Sequence, residues 1–390
     1  MRDEPAAPTG TAERAAAAAD AAFGTDLYQV LAGDTASTVF SPASVASAMR
    51  MALCGARGET AAELARALHV DPAARPEDAA ASGLSLLPAG RNGGSAVFRA
   101  PNTVWVQSGL PLRAEFTGSL SRAAAALAGA DFVAAPEAAR AEINQVIASQ
   151  TEGKITGLLP PGAISTVTRL VLASAVYLKA AWTQPFAERA TADAPFYPDG
   201  PDGPDGRGLA VPMMRGTATR SYLRGDGYQA VLLPYRDVGL AMAVLLPDGP
   251  LTALRPKVAA AGLGGLLAGT ASHQVTLSLP RFRLEAAFDL IPALERLGIT
   301  EAFGGDADFG GITSAGPLQI GAVAHKAYID VDERGTEAAA ATGVVIKTRA
   351  AVRPMQPVTM VVDRPFLFAI VDTSTSLPVF LGQVIRPGAG

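Results

Sequence analysis

The sequence predicts an α+β protein with sizeable β-sheets. Helical periodicity is concentrated in the first part of the chain and strand patterns in the later part. One run, "TRLVLASAVYLKAAW" at 168–182, is almost continuously apolar, which is typical of a strand buried on both faces. Helices and strands do not alternate regularly, so the pattern does not indicate a repeating βαβ architecture.

Three segments have helical patterns. Residues 11–31 are rich in alanine, with Phe23, Leu27 and Leu31 at helical spacing. A second helical region, 40–70, begins at Ser41–Pro42, because proline is favoured in a first helical turn. It breaks at Gly55–Gly58 and restarts after Thr60. A third helix is predicted over 286–297.

Strand patterns occupy most of the remaining chain. The Gly- and Pro-rich residues 198–208 interrupt them and predict a surface excursion. The predicted strands are 95–106, 168–180, two segments joined by a turn within 228–247, 275–283, 317–332, 365–372 and 378–385.

A stretch of small residues near the C-terminus, "GTEAAAATGVVIKTRA" (335–350), fits neither element simply. A helix bracketed by glycines eight residues apart does not recover its nucleation cost. As a strand, it would place Thr336, Ala338, Ala340, Thr342, Val344 and Ile346 on one face and both Glu337 and Lys347 on the other. The first face is small and apolar, so the segment suits a strand that slides between neighbours.

Composition limits the functional classes. The 390 residues are 49% hydrophobic and 17% charged, with a net charge of −4 and no basic run, so nucleic acid and membrane surfaces are not expected partners. The single cysteine, Cys54, excludes an intrachain disulfide, and three histidines exclude a His-rich metal site. No cofactor or metal is expected. If a signal peptide has been removed, an extracellular or periplasmic location is favoured; otherwise the protein would be cytoplasmic.

Catalytic motifs are mostly missing from the sequence. It contains no nucleophile elbow, P-loop, zinc-protease helix or paired C-x-x-C motif. The enzymatic alternative is a serine hydrolase that would use His325 with Ser41 or Ser44, which lie at a helix start. A nucleophile needs a strained turn and an oriented base. We therefore interpret these residues as buried polar groups that hydrogen-bond to each other, and we do not expect an enzyme.

Several segments, in order, resemble the serpin family from about residue 20 to 388. The early block "VFSPASVASAMRMALCGARGET", the central "INQVIASQTEGKITGLLPPGAISTVTRLVLASAVYLKAAWTQPF" and the later "LPRFRLEAAFDLIPALERLGITEAFGGDADFGGI" are similar to family segments. "VAHKAYIDVDERGTEAAAAT" resembles the hinge, and "DRPFLFAIVDTSTSLPVFLGQV" the C-terminal strands. The resemblance implies three β-sheets surrounded by helices and an exposed reactive-centre loop at about 333–360. It also implies a flexible lead over 1–19 and one domain over 20–388.

In this family a target protease attacks the reactive-centre loop as a substrate and forms an acyl-enzyme. The hinge then enters the main sheet before deacylation and carries the protease with it. The hinge residues implied here are Glu333, Gly335, Thr336, Glu337, Ala338, Ala339, Ala340, Ala341 and Thr342. Non-inhibitory members commonly carry bulky, charged or proline residues where this chain has alanines. The resemblance thus implies a monomeric suicide-substrate inhibitor, with a non-inhibitory carrier, chaperone or protease substrate as the alternative.

The resemblance also implies the reactive bond. The residue that supplies the attacked carbonyl lies sixteen positions after the hinge glutamate, Glu333, which indicates Arg349 followed by Ala350. A guanidinium suits the acidic pocket of a trypsin-like protease. Lys347 and Thr348 are alternative reactive residues, the latter for an elastase-like enzyme. The expected partner is therefore a trypsin-like serine protease in a covalent acyl complex.

Two further regions follow from the resemblance. Trp182 is placed in the breach, where the main sheet first opens. Ser41, Ser44, Ser174 and His325 form the shutter, a polar cluster beneath the opening strands. The family usually has Asn where this chain has Ser174, and Trp where it has Val146. Because Ser has fewer donors and acceptors than Asn, we expect a weaker cluster or one completed by water.

Overall fold

The computed structural model describes residues 10–71, 83, 96–123, 125–200, 206, 208–337 and 356–388. Within these ranges the chain forms seven α-helices and three short 3₁₀ turns. The helices are α1 Thr11–Leu31, α2 Pro42–Gly55, α3 Gly58–Ala67, α4 Ala114–Arg122, α5 Pro136–Gln150, α6 Arg255–Leu267 and α7 Ile291–Arg296. The 3₁₀ turns are Glu188–Ala190, Leu251–Ala253 and Glu301–Phe303. No helix in the described part of the chain is long and apolar enough to cross a membrane.

A seven-stranded sheet carries the features of functional interest. Its strands are β2 Val97–Arg99, β3 Asn102–Gln107, β4 Ala126–Ala130, β5 Leu170–Ala181, β11 Phe282–Asp289, β12 Ala322–Val331 and β13 Gly335–Thr336. They follow the order β11-β12-β13-β5-β3-β4, and β2 also pairs with β5. Strands β5 and β12 run parallel to each other, and the two-residue β13 runs antiparallel to both.

A nine-stranded sheet contains the remaining described strands. They are β1 Thr38–Phe40, β6 Ala192–Phe196, β7 Leu209–Gly225, β8 Tyr228–Pro234, β9 Leu240–Pro247, β10 Ala271–Pro280, β14 Val358–Val361, β15 Phe366–Asp372 and β16 Pro378–Val384. Their order is β1-β16-β15-β9-β8-β7-β10-β14, with β6 also paired to β7. Residues 213–222 of β7 pair with β10, whereas residues 221–225 pair with β8, so this long strand joins two lobes. With the seven-stranded sheet, these lobes make the three sheets of the expected α+β fold.

Apolar clusters cover both faces of the seven-stranded sheet. On the outer face, Ala139, Ile143 and Ile147 of α5 pack with sheet residues that include Val171 and Tyr177. On the inner face, the lower part of the sheet packs on α2 and the upper part on the nine-stranded sheet. A continuous apolar run in β5 is the consequence, because neither face of that strand meets water.

Most predicted elements have the predicted type. The break between α2 and α3 falls at residues 56–57, and the turn within 228–247 separates β8 from β9. The 95–106 strand is divided into β2 and β3, and β12 begins at Ala322, later than predicted. The 286–297 helix is wrong in its first part, because Ala286 to Asp289 pair with β12, and right in its second part, where Ile291–Arg296 are helical.

Candidate functional site

The candidate site follows the contact between β5 and β12, which we call the seam. Its pairing runs from Val171 opposite Ala322 up to Tyr177 opposite Tyr328. Above that point the two strands diverge, and β13 lies between them, with Thr336 opposite both Ala180 and Val331. The seam is therefore closed over seven residue pairs and already holds a third strand at its upper end.

Gly335 begins this short third strand because no larger residue fits. A Cβ atom at this position would lie 2.0 Å from the carbonyl oxygen of Ala180. Thr336, which follows, is fully buried, and its hydroxyl lies 2.6 Å from the hydroxyl of Tyr235. The side chain of Thr336 thus points to the inner face, as its position in the strand alternation predicted.

Trp182 holds the upper end of the seam. Its ring stacks on Tyr235 with the centroids 4.4 Å apart, and its Nε1 donates a 3.0 Å hydrogen bond to the carbonyl of Asp332. Its backbone N–H donates to the carbonyl of Arg334 at 2.8 Å. Trp182, the breach residue implied by the family resemblance, therefore binds the backbone on both sides of the hinge residue Glu333.

Glu333 is anchored beside Trp182 by a second set of contacts. The guanidinium of Arg281 donates to both carboxylate oxygens at 2.7–2.9 Å, and the hydroxyl of Thr191 also donates to this carboxylate. Only 4% of the Glu333 side chain is exposed. Burial by itself would raise the pKa of Glu333, but these hydrogen bonds outweigh it and hold the pKa below its usual value. Glu333 is therefore a charged, fixed start for the hinge.

The polar cluster lies on the inner face of the seam, beneath its middle. The backbone N–H of Ser41 donates to His325 Nε2 at 2.9 Å, and Ser174 Oγ lies 3.0 Å from His325 Nδ1. Because a backbone N–H can only donate, Nε2 is the acceptor and the ring proton is on Nδ1. Burial lowers the pKa of His325 to about 3, and a hydrogen bond to Ser174 offsets part of this effect. His325 is thus a neutral group that joins α2 to both strands.

Ser44 and Asn102 complete the cluster. Ser44 donates its backbone N–H to Ser41 Oγ, which caps α2. Asn102 lies directly opposite Ser174 in the β3–β5 pair. Among the described residues, Ser44 Oγ and both polar side-chain atoms of Asn102 have no hydrogen-bond partner. Sequence reasoning missed Asn102, since a strand at 95–106 does not reveal which strand lies beside it.

This geometry gives His325 no role in hydrolysis. Its two nitrogens contact a backbone N–H and a buried serine, and the ring is fully buried. The described residues contain no group of three or more His, Cys, Asp or Glu that could hold a metal ion. Cys54 is buried in α2.

The reactive part of the loop lies outside the residues that the structure describes. This applies to the predicted reactive bond, Arg349–Ala350, to its alternatives Lys347 and Thr348, and to the hinge residues Ala338, Ala339, Ala340, Ala341 and Thr342. The described hinge therefore ends at Glu337, and the chain is described again from Gln356.

Comparisons with known proteins cover nearly the whole chain. A family model described as serpin (serine protease inhibitor) matches residues 18–387. An uncharacterized serpin-like protein of Thermococcus kodakarensis is 36% identical over 374 residues, which are 94% of this chain and 85% of that protein. The leukocyte elastase inhibitor of Sus scrofa is 35% identical over 95% of this chain and 99% of its own length. The structure of human thyroxine-binding globulin complexed with its ligand matches with a TM-score of 0.84 and 25% identity, over 97% of this chain and 100% of that one.

Proposed function

This chain belongs to the serpin family, and on that premise we propose that it is a suicide-substrate inhibitor of trypsin-like serine proteases. Serpins are in general inhibitors of serine proteases rather than catalytic enzymes, although some members inhibit nothing. The trypsin-like target, the reactive bond and the roles of the hinge residues are the proposed parts.

The observation that carries the proposal is the position of β13 at the upper end of the seam. Thr336 is opposite Ala180 and Val331, and antiparallel pairing moves one residue down both neighbours for each residue added. In this register Thr342, six residues further, falls opposite Ser174 and His325. Val345 falls opposite Val171 and Ala322, where the seam ends. A strand of ten residues, from Thr336 to Val345, would therefore extend from the upper end of the seam to its lower end.

The residues that would enter have side chains suited to a closed sheet. Directly paired residues point to the same face, so Ala338, Ala340 and Thr342 would follow Thr336 to the inner face. There Ala340 would meet Val176 and Ala327, both fully buried. Burial of a charged or bulky side chain at these positions would be energetically unfavourable.

Insertion replaces one ladder by two. Insertion breaks the direct hydrogen bonds between β5 and β12. Each of these strands then pairs with the inserted segment, so the net gain is the hydrogen bonds of about one strand pair. Roughly ten residues at ~1 kcal/mol per hydrogen bond give a driving force on the order of 10 kcal/mol.

The chemistry at the reactive bond follows the ordinary acyl-transfer sequence. The serine of the protease attacks the carbonyl of Arg349, the bond to Ala350 breaks, and the new amine of Ala350 takes up a proton as it leaves. Arg349 remains joined to the protease as an ester. Arg349 lies thirteen positions after Thr336, about 43 Å of extended chain. Insertion before hydrolysis of this ester would drag the protease across the sheet and distort its active site.

Incubation with trypsin, followed by a denaturing gel, tests this function. We expect a detergent-resistant band near the summed mass of the two proteins, and no such band with Arg349→Ala. Complete cleavage with full residual trypsin activity would exclude an inhibitor. It would favour a non-inhibitory role, for which the similarity to thyroxine-binding globulin is a precedent.

An elastase-like target is the second candidate. The leukocyte elastase inhibitors among the relatives favour it, as do the small residues Val345 and Thr348 in the loop. Parallel incubation with pancreatic elastase decides between them. A stable complex with elastase that survives Arg349→Ala would support this candidate over the trypsin-like one.

A further inference from the structure

At Glu337, the last described residue of the hinge, the backbone N–H still donates to the carbonyl of Asp330 on β12 at 3.0 Å, but the backbone turns away from the extended conformation. Glu337 has φ of +47°, in the left-handed region that residues other than glycine rarely adopt. A strand residue needs φ near −120° to −140°. Glu337 must therefore rotate before Ala338 can follow Thr336 into the seam. A strained backbone of this kind persists only where surrounding contacts hold it.

Two side chains hold Glu337 in this turned state. Lys154 Nζ lies 2.7 Å from Glu337 Oε1, and the hydroxyl of Tyr177 donates a 2.6 Å hydrogen bond to Oε2. Only 10% of the Glu337 side chain is exposed. Burial would raise the pKa of Glu337, but the contacts with Lys154 and Tyr177, with a smaller contribution from Tyr328, outweigh it and keep the pKa below its usual value. We call this pair of contacts the clamp.

The clamp lies where the sheet must open next. Tyr177 is paired with Tyr328 at the top of the closed seam, and this is the first direct β5–β12 pair below β13. In the register of β13, Ala339 would have to enter between these two tyrosines. Lys154 comes from the connection between α5 and β5, and its Nζ also lies 5.9 Å from the centre of the Tyr328 ring. The Glu337 carboxylate thus connects the hinge to β5, which the inserting hinge must separate from β12, and to the α5–β5 connection outside the sheet.

We propose that Lys154 and Tyr177 are positioning residues that hold Glu337 in its turned conformation and thereby set the rate at which the rest of the hinge inserts. This inference rests on the proposed function, since it concerns the same hinge. Neither residue is given a role in the acyl-transfer chemistry. Their effect is on the competition between insertion and hydrolysis of the acyl-enzyme, which decides how many inhibitor molecules are consumed for each protease molecule trapped.

Lys154→Met tests the clamp with little risk to folding, because 42% of the lysine side chain is exposed. After the loop has been nicked near Arg349, insertion is followed by the gain in resistance to heat. We expect insertion about tenfold faster than in the wild type, a change of about 1.4 kcal/mol in the barrier. Lys154→Arg should restore the slow rate. Lys257→Met, which removes an exposed ion pair with Asp226, is the matched control and should leave the rate unchanged.

A double-mutant cycle separates the clamp from a general loosening of the protein. Glu337→Gln should accelerate insertion to a similar extent, and Lys154→Met combined with Glu337→Gln should be little faster than either alone. Tyr177→Phe should act in the same direction, with Tyr222→Phe as its control. A lower melting temperature of the native form with an unchanged insertion rate in Lys154→Met would overturn the inference.

The same measurements distinguish this inference from the proposed function. Accelerated insertion in the variants, in a protein that never traps a protease, would support the clamp while excluding inhibition. Trapping by all variants at the wild-type stoichiometry and insertion rate would overturn the clamp alone. Absence of insertion even in the cleaved wild type would overturn both.

Discussion

Ser174 and His325 face each other directly across the β5–β12 pair, and their side chains are hydrogen-bonded, with Oγ 3.0 Å from Nδ1. This contact spans the seam that insertion would open. The free energy needed to break this hydrogen bond is therefore part of the barrier to insertion. A new hydrogen bond that replaces it would be part of the free energy gained by insertion. Both residues are buried, so the contact has no competition from solvent.

The buried, neutral His325 should make the native protein sensitive to acid. Its pKa is about 3 in the folded protein and 6.5 for an exposed histidine, so between these limits the unfolded chain binds more protons. Stability from this group is complete above pH 6.5 and falls as the pH is lowered toward 3, by about 2 kcal/mol at pH 5. We expect the wild type to lose more stability than His325→Gln between pH 8 and pH 5 in urea unfolding.

The wild type is compared with His325→Gln because Asp20 also titrates in this pH range. Burial raises the pKa of Asp20 to about 6 despite its contact with Arg50, so protonation of Asp20 stabilises the fold as the pH falls. The contribution of Asp20 is common to the wild type and His325→Gln and cancels in their difference. Parallel pH profiles for the two proteins would contradict the assignment to His325.

Ala340→Glu should convert the inhibitor into a substrate. In the proposed inserted state, the register of β13 would bring this side chain against Val176 and Ala327 on the inner face, where burial of an ionised carboxylate is unfavourable. We expect trypsin to cleave the variant without forming a stable complex, and the melting temperature of the uncleaved form to stay within a degree or so of the wild type. Ala340→Ser, which remains small, should still form complex. Undiminished complex formation by Ala340→Glu would show that the inward face is misassigned.

Thr342→Val tests the register itself. If Thr342 arrives opposite Ser174 and His325, its hydroxyl can replace the contact that these two residues lose. Removal of the hydroxyl should lower the stability of the cleaved form by about 1 kcal/mol and leave the uncleaved form unchanged. Melting of both forms measures this difference. Thr348→Val, which lies beyond the end of the seam, is the control and should change neither form.

Mass spectrometry of the C-terminal fragment released from the complex identifies the reactive bond. We expect a fragment that begins at Ala350. A fragment beginning at Thr348 would assign the bond to Lys347, and one beginning at Arg349 would assign it to Thr348. Replacement of Arg349 by alanine should abolish trypsin inhibition while the cleaved form keeps its resistance to heat, because residue 349 lies outside the ten positions that the seam accepts.

Local sequence patterns determined much of the fold. The Ser41–Pro42 start of α2, the continuous apolar run of β5 and the inward position of Thr336 all follow from the side chains and their spacing. The first part of the predicted 286–297 helix is a strand instead, because long-range pairing overrode a local pattern, with Phe288 opposite His325 in the β11–β12 pair. Periodicity records which side of an element is buried, and this information is local.

The neighbours of each element were decided only by the tertiary structure. Ser174 and His325 are 151 residues apart, and no local pattern pairs their strands. Asn102 lies beside Ser174 for the same reason, and Lys154 and Tyr177 meet Glu337 only because β13 has entered the top of the seam. A strand pattern states that a partner is needed without naming it, because every strand offers the same backbone donors and acceptors. Which strands pair depends on how the helices and sheets pack together, and this packing places β13 between β5 and β12.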